Sequence, residues 1–375
     1  MMWKFLSFIL LVMMSAAGAL EVQAPQVYMK DFNTGTILFE KNADQQMVPS
    51  SMSKIMTAHL VFERLKSGDI KLDDTLYVSK EAWQMGGSKM FVQVESRVNV
   101  DDLLHGVIVQ SGNDACIVLA EGLGGTEAAF AEEMTRKAHE MGATHSTFVN
   151  ATGWPDEGHL TTAKDLALIA ERTIRDFPQE YEKYYSVKEF SYNNIKQGNR
   201  NTLLNKGIGA DGMKTGHTEA GGYGIVASAK QGDRRIILVI NGLPTSKARD
   251  QEATALLNWG FSAFKNYKIF GKGDVVEVGD VWNGEEQSVP LIASQDIILT
   301  LPRSQRKDLQ AKIIYDSPLA APLKAGDTVG SLEVTVPEKG VLKTPLYVGK
   351  DVKMAGFFQR ISYSLHYLLW GKPSS

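Results

Sequence analysis

The chain has 375 residues, of which 43% are hydrophobic and 22% charged, a balance that is typical of folded globular proteins and excludes wholesale disorder. At about 150 residues per domain, this length is sufficient for two domains. The formal net charge of -3 gives no electrostatic support for nucleic-acid binding. The single cysteine, Cys116, excludes a disulfide framework and a cysteine-built zinc site.

Residues 1–24 have the pattern of an export signal. Lys4 precedes an apolar run over residues 5–14, and Ala17-Gly18-Ala19 or Val22-Gln23-Ala24 fits the cleavage site. An uncleaved anchor is the alternative, although this run is short for a hydrocarbon core of about 30 Å. We therefore predict an exported protein, in which a lone cysteine is buried and inert.

Residues 25–266 are predicted to form an α/β (α+β) domain, because helical and strand patterns alternate along them. Residues 27–29 and 36–39 flank an Asn-Thr-Gly turn and predict a hairpin. A helical period follows from residue 52, and Ser67-Gly68-Asp69 ends it. Residues 224–229 and 235–240 predict paired strands, and a helix with apolar residues from 253 to 264 closes the domain.

Residues 267–349 contain short strand patterns separated by turn residues, which predicts a small all-β domain without catalytic candidates. Residues 350–375 are predicted to form an amphipathic helix, starting near Asp351. Its apolar face comprises Phe358, Ile361, Leu365, Leu368 and Leu369. With its interfacial aromatic residues, such a helix is predicted to lie in a membrane surface. The alternative is a final helix packed on its own domain.

The first polar motif is Ser51-Met52-Ser53-Lys54, at the start of a predicted helix. Residues at positions i and i+3 share a helical face, so the hydroxyl and the amine are expected side by side. A lysine with a lowered pKa can take the serine proton, which gives a nucleophile without histidine. The same pattern also occurs at residues 262–265 and 304–307, so it decides little alone.

The second motif is Ser111-Gly112-Asn113, between two apolar runs that predict buried helices. A turn there would direct polar side chains into a cleft, although Ser and Asn are also ordinary helix caps. A competing Ser-x-Asn occurs at residues 191–193, without flanking core helices.

The third motif is Lys214-Thr215-Gly216, the only Lys-Thr-Gly in the chain. On an edge strand, Lys214 would offer a fixed charge and Thr215 a hydrogen-bond donor. Gly216 would let a substrate backbone approach closely. The alternative is a solvated edge-strand lysine that protects the strand from aggregation.

In this order, and within one exported domain, the three motifs resemble those of the active-site serine penicillin-recognising enzymes. More closely, the chain is similar to low-molecular-mass penicillin-binding proteins that act as D-alanyl-D-alanine carboxypeptidases. Further matching stretches are residues 42–57, 109–115, 161–167 and 211–218. The resemblance covers essentially the whole chain, and it implies a location at the periplasmic face of the cytoplasmic membrane.

The resemblance implies acyl transfer through a serine ester, without a metal or cofactor. Ser51 would attack the penultimate D-Ala carbonyl of a peptidoglycan stem peptide, Lys54 would act as general base, and Ser111 would pass a proton to the departing D-Ala. β-Lactams would acylate the same serine as inhibitors. The expected substrate-binding residues are Asn113, Lys214, Thr215, Gly216 and His217, with Arg200 and Arg249 as supports.

Three other functions remain open on the sequence. A β-lactamase would need fast deacylation, for which some β-lactamases use a tyrosine near the second motif. Tyr192-Asn193-Asn194 offers a tyrosine, but it lacks flanking core helices. A D,D-endopeptidase uses the same chemistry on cross-bridges. A non-catalytic cell-wall-binding protein is disfavoured by the intact motifs. Metal chemistry has little support, because His139 and His145 do not form a His-Glu-x-x-His motif.

Overall fold

The structure is a computed structural model that describes residues 21–308, 310–336 and 340–370. Most of the predicted export signal lies outside these residues. The strands of the N-terminal part are β1 (Gln26–Asp31), β2 (Ile37–Lys41), β3 (Thr75–Tyr77), β4 (Arg97–Asn99), β5 (Glu189–Tyr192), β6 (Ile195–Gly198), β7 (Ala210–Thr218), β8 (Gly222–Gln231) and β9 (Arg234–Leu243).

The helices of this part alternate with the strands, as predicted. They are α1 (Lys54–Ser67), α2 (Lys80–Gln84), α3 (Val100–Ile108), α4 (Asn113–Gly124), α5 (Glu127–Glu140), α6 (Ala163–Asp176), α7 (Pro178–Tyr185) and α8 (Ser246–Ala263). Local sequence sets several of their ends. Asn99, Thr126 and Thr162 accept hydrogen bonds from backbone N–H groups at the starts of α3, α5 and α6, and α1 ends at Gly68 with φ 82°.

The central sheet has the antiparallel order β2-β1-β9-β8-β7. Both of its faces are covered, which explains the uninterrupted apolar run of β9. Ile237 and Val239 belong to the helical core with α1, α3 and α4, whereas Ile236 and Leu238 pack in the core that includes α8. The predicted mixed α and β architecture is confirmed, and β7 is the edge strand that the third motif required.

The C-terminal part is all-β, as predicted. Its strands are β10 (Phe264–Phe270), β11 (Val275–Trp282), β12 (Ser288–Ala293), β13 (Ile297–Pro302), β14 (Gln310–Tyr315), β15 (Leu319–Ala320), β16 (Thr328–Val336) and β17 (Gly340–Val348). Six of them form a sheet of order β14-β16-β17-β12-β11-β15, and β10 pairs with β13. The proposed domain boundaries at residues 266 and 349 remain predictions.

The last helix, α9 (Phe357–Trp370), begins later than the predicted start near Asp351. Val352 is 2% exposed and belongs to the core of the β domain. It forms an isolated antiparallel β-bridge with Leu323, and Met354 forms another with Gly284. These bridges hold residues 352–354 extended and delay the helix until after Gly356. No helix in the described part of the chain is both long and apolar enough to cross a bilayer.

Candidate active site

The first motif forms a turn that leads into a buried helix. Ser50–Ser53 is a 3-10 turn, and α1 continues directly from it at Lys54. Lys54 is fully buried, and its Nζ lies 3.0 Å from the Oγ of Ser51. Ser51 itself is only partly buried, so the motif presents an accessible hydroxyl against a buried amine.

Three acceptors surround the amine of Lys54. Besides the Ser51 hydroxyl, Nζ donates to Asn113 Oδ1 at 2.7 Å and to the Thr152 carbonyl at 2.6 Å. After losing one proton, the amine keeps two donors for Asn113 and Thr152, and its lone pair faces the Ser51 hydroxyl. Burial lowers the pKa of Lys54, which favours this neutral form.

The second motif lies in the turn between α3 and α4, as the sequence predicts. Ser111 has φ 60°, a strained left-handed conformation for a residue other than glycine, and it is 4% exposed. Asn113 begins α4 and donates from Nδ2 to the Gly86 carbonyl at 2.8 Å. The structure gives the Ser111 hydroxyl no hydrogen bond to another described residue, so its position rests on this turn.

Asp114 ties the neighbouring loop to the second motif. Its buried carboxylate accepts four backbone N–H groups, from Met90, Ala115, Phe91 and Val92, at 2.8 to 3.2 Å. This loop carries the Gly86 carbonyl that holds Asn113. The sequence places Asp114 in a stretch that resembles the family but indicates no role for it, because the N–H groups that it binds lie about 22 to 24 residues earlier in the chain, apart from that of Ala115.

The third motif lies on β7, whose partner in the sheet is β8. Lys214 is 2% and Thr215 6% exposed, so this lysine is not the solvated edge residue of the alternative interpretation. Burial and then the charge of Lys54 hold the pKa of Lys214 well below its ordinary value, and Arg200 and Arg249 add to the effect. Three cationic groups therefore act on the buried Lys214 ammonium.

The two arginines are held differently. Arg249 is buried on α8 and binds the Asp250 carboxylate, with its Nη2 at 2.7 Å from Oδ1. Arg200 is exposed and donates to the Gln197 side chain at 2.9 Å. Their effect on Lys214 places both within electrostatic range of the third motif.

Gly216 has a packing role that the sequence interpretation missed. A Cβ at this position would lie 2.8 Å from the Pro49 carbonyl oxygen and 3.2 Å from the Cβ of Ser50. The absence of a side chain thus lets β7 approach the turn that carries Ser51. The structure shows this close approach toward the chain itself, whereas the sequence analysis had expected it toward a substrate.

A cleft of about 800 Å³ is lined by Ser51 of the first motif and Asn113 of the second, together with Thr152, Trp154 and His217. His217 directly follows the third motif, whose residues 214–216 are not among those that line the cleft. The imidazole of His217 is exposed and stacks on Tyr223 with ring centroids 3.8 Å apart. Trp154 and the Thr152 carbonyl had no part in the sequence interpretation, although Asn-x-Thr-Gly is a recognisable turn signal.

The competing motifs lie elsewhere. Ser191 is in the β5–β6 hairpin, Ser262 lies at the end of α8, and Ser304 is in a 3-10 turn of the β domain. Cys116 is buried, and burial raises its thiol pKa to about 12, as expected of an inert cysteine. Within the described residues, no group of three metal-ligating side chains converges.

Comparison with known proteins agrees with this geometry. A family model described as D-alanyl-D-alanine carboxypeptidase matches residues 13–245, and one described as penicillin-binding protein 5, C-terminal domain, matches residues 264–354. The D-alanyl-D-alanine carboxypeptidase DacC of Escherichia coli is 40% identical over 353 residues, covering 91% of this chain and 88% of that protein. DacA of Haemophilus influenzae is 38% identical over 347 residues, with the same coverage.

Solved structures give the same result. Penicillin-binding protein 5 from Haemophilus influenzae has a TM-score of 0.81 and 37% identity, over 90% of this chain and all of that one. Penicillin-binding protein D2 from Listeria monocytogenes, in an ampicillin-bound form, has a TM-score of 0.60 and 29% identity over 65% of this chain and all of its own. The first family model alone spans more than half of the sequence, and the chain belongs to the D-alanyl-D-alanine carboxypeptidase family.

Proposed function

We propose that this penicillin-binding carboxypeptidase removes the terminal D-Ala from peptidoglycan stem peptides with Ser51 as nucleophile and Lys54 as general base. The observation that carries the assignment is the buried Lys54 amine, 3.0 Å from the Ser51 hydroxyl. A buried amine with a lowered pKa is a competent base near neutral pH, and this distance is within the reach of proton transfer.

In the acylation step, Lys54 takes the proton of Ser51 as Oγ attacks the penultimate D-Ala carbonyl. Collapse of the tetrahedral intermediate breaks the peptide bond and leaves a serine ester. The departing D-Ala amine receives a proton, for which Ser111 is the proposed relay. Backbone N–H groups of Ser51 and His217 are the proposed oxyanion donors. Water then hydrolyses the ester and regenerates Ser51.

The cationic groups of the third motif support recognition of the substrate carboxylate. A buried ammonium whose pKa is lowered by burial and by neighbouring positive charges, as that of Lys214 is, is stabilised by an incoming anion. The terminal carboxylate of D-Ala-D-Ala supplies that anion beside Lys214 and Thr215, with Arg200 and Arg249 as outer supports. Asn113 lines the cleft and is the proposed partner of a stem-peptide amide, and Gly216 keeps β7 against the nucleophile turn.

β-Lactams are proposed to acylate Ser51 by the same path. Their leaving group stays tethered to the acyl-enzyme, so it hinders the approach of water and the ester persists. A covalent adduct on Ser51 is therefore the expected inhibited state.

The location is proposed from the ends of the chain. An export signal at residues 1–24 would deliver the protein to the periplasm, and α9 would hold it on the membrane surface. Its exposed apolar residues support such contact, with exposures from 44% to 86% for Phe357, Phe358, Ile361, Leu365 and Leu369. The β domain then lies between the catalytic domain and this helix along the chain.

The direct test is release of D-alanine from a soluble peptide ending in L-Lys-D-Ala-D-Ala, measured for the wild-type protein and for Ser51→Ala. We expect release by the wild type and its loss, together with penicillin labelling, in the variant. Labelling retained by Ser51→Ala would refute the nucleophile. No release by folded wild-type protein would favour the endopeptidase or the cell-wall-binding alternative.

A further inference from the structure

The turn over residues 150–154, called here the Asn150 turn, is organised by one side chain. Asn150 Oδ1 accepts from the backbone N–H groups of Thr152, Gly153 and Trp154 at 2.8 to 3.2 Å and from the Thr152 hydroxyl at 3.0 Å. Asn150 Nδ2 donates back to the Trp154 carbonyl at 3.0 Å. One carboxamide therefore makes most of the side-chain hydrogen bonds within the turn.

The Asn150 turn touches the nucleophile motif at two points. The Thr152 carbonyl accepts the 2.6 Å hydrogen bond from Lys54 Nζ. Gly153, at φ 77°, packs so closely on the residue before the nucleophile that a Cβ there would lie 1.9 Å from the Ser50 carbonyl oxygen. Both contacts depend on the backbone of the turn, to which the Thr152 hydroxyl adds one further bond by accepting from the Trp154 N–H at 3.0 Å.

The surrounding helices hold the start of the turn. Ala151 N–H donates to Glu127 Oε1 on α5 at 2.9 Å, and the Ala151 carbonyl accepts from the Thr57 hydroxyl on α1 at 2.6 Å. These bonds anchor Ala151, and neither involves the peptide unit of the Thr152 carbonyl. Asn150 constrains the orientation of that carbonyl, because the Gly153 N–H in the same peptide plane donates to Asn150 Oδ1 at 2.8 Å.

We propose that Asn150 is a positioning residue for Lys54, acting through the Thr152 carbonyl. The inference rests on the proposed function, in which Lys54 is the general base. An acceptor that is held rigidly keeps the amine 3.0 Å from Ser51 and stabilises the ammonium form. Removing Asn150 should therefore slow acylation and change the pH at which Lys54 becomes a base.

The direction of the pH change follows from the groups around Lys54. Burial opposes its charged form and Lys214 on β7 carries a like charge, whereas the carboxylates of Asp114 on α4 and Glu127 on α5 favour the charged form. Loss of the Thr152 acceptor in Asn150→Ala removes a bond that favours the ammonium, so the Lys54 pKa falls. Asn150→Asp keeps the acceptor oxygen and adds a negative charge, so the Lys54 pKa rises.

The experiment measures single-turnover acylation by a fluorescent penicillin at saturation, from about pH 5 to about pH 10. For Asn150→Ala we expect a maximal rate lower by about tenfold to a hundredfold. The rising limb of its rate–pH profile should move to lower pH. Asn150→Asp should restore the rate to within a few-fold, with the limb moved to higher pH. The Trp154 carbonyl bond that Asp cannot make is exposed, so water can replace it.

Asn33→Ala is the matched control, because Asn33 also bridges two turns, through Asp233 and Arg235, but away from the cleft. It should leave the rate and the limb unchanged. Wild-type acylation rates and an unshifted pH profile in both Asn150 variants would overturn the inference. If Asn150→Ala does not fold, an unshifted pH profile in Asn150→Asp overturns it. Near-normal acylation by Lys54→Arg would instead refute the base on which the inference depends.

Discussion

Replacing Asp114 by Asn tests whether a single carboxylate holds the loop over residues 86–92, which contributes Gly87 and Ser88 to the lining of the cleft. The carboxylate accepts two backbone N–H groups on Oδ1 and two on Oδ2, and it is fully buried. The amide of Asn keeps one acceptor oxygen and turns an N–H₂ group toward the other pair. The N–H groups of Phe91 and Val92 then lose their acceptor; the hydrogen bond from Val92 is buried and that from Phe91 is partly buried.

The expected cost follows from these bonds. Leaving a buried donor unsatisfied costs about 1–3 kcal/mol, so the loss at Val92 lowers the free energy of unfolding by about that amount, and the partly buried Phe91 N–H adds a smaller cost. The same loop supplies the Gly86 and Ser88 carbonyls that hold Asn113, which in turn contacts Lys54. Acylation should therefore fall by about tenfold to a hundredfold as these groups shift.

The assay compares urea unfolding, followed by tryptophan fluorescence, with the rate of penicillin acylation. Asp31→Asn is the control, because Asp31 is equally buried and also accepts several N–H groups, but at the β1–β2 turn. It should destabilise the protein and leave acylation by the folded fraction unchanged. An Asp114→Asn protein that loses less than about 1 kcal/mol and acylates normally would refute this account of the loop.

Three further predictions concern the site and the last helix. Lys54→Arg should reduce acylation by at least about a hundredfold, because an arginine stays protonated, and single-turnover labelling measures this. In the wild type, burial lowers the Lys54 pKa, so the acylation rate should rise with pH as the ammonium deprotonates and reach its plateau below the ordinary lysine pKa of 10.5. A rate that falls over this pH range would contradict the base role. Deletion of the chain after Gly356 removes α9 and leaves the Val352 and Met354 bridges in place. It should abolish sedimentation with anionic vesicles while cleavage of the soluble peptide persists. A truncated protein that still sediments with the vesicles would exclude α9 as the anchor.

Much of the architecture could be predicted because its signals are local. The hairpin before α1, the paired strands β8 and β9, and the all-β C-terminal part follow from short-range periodicity and turn residues. The start of α9 could not be predicted in this way. Residues 352–354 fall within the predicted helix, but bridges from Val352 to Leu323 and from Met354 to Gly284 hold them extended.

The sequence by itself determined which side chains are chemically competent: Ser51 and Lys54 one helical turn apart, a polar turn at Ser111, and a unique Lys-Thr-Gly. Only the tertiary structure brought these distant segments together, with Ser51 and Asn113 lining one cleft beside His217, the residue that follows Lys-Thr-Gly. It also supplied the Thr152 carbonyl and the close packing at Gly216. The sequence does not reveal such features, because every residue has a backbone carbonyl and a glycine can serve many purposes. Their role depends on which group the fold places against them.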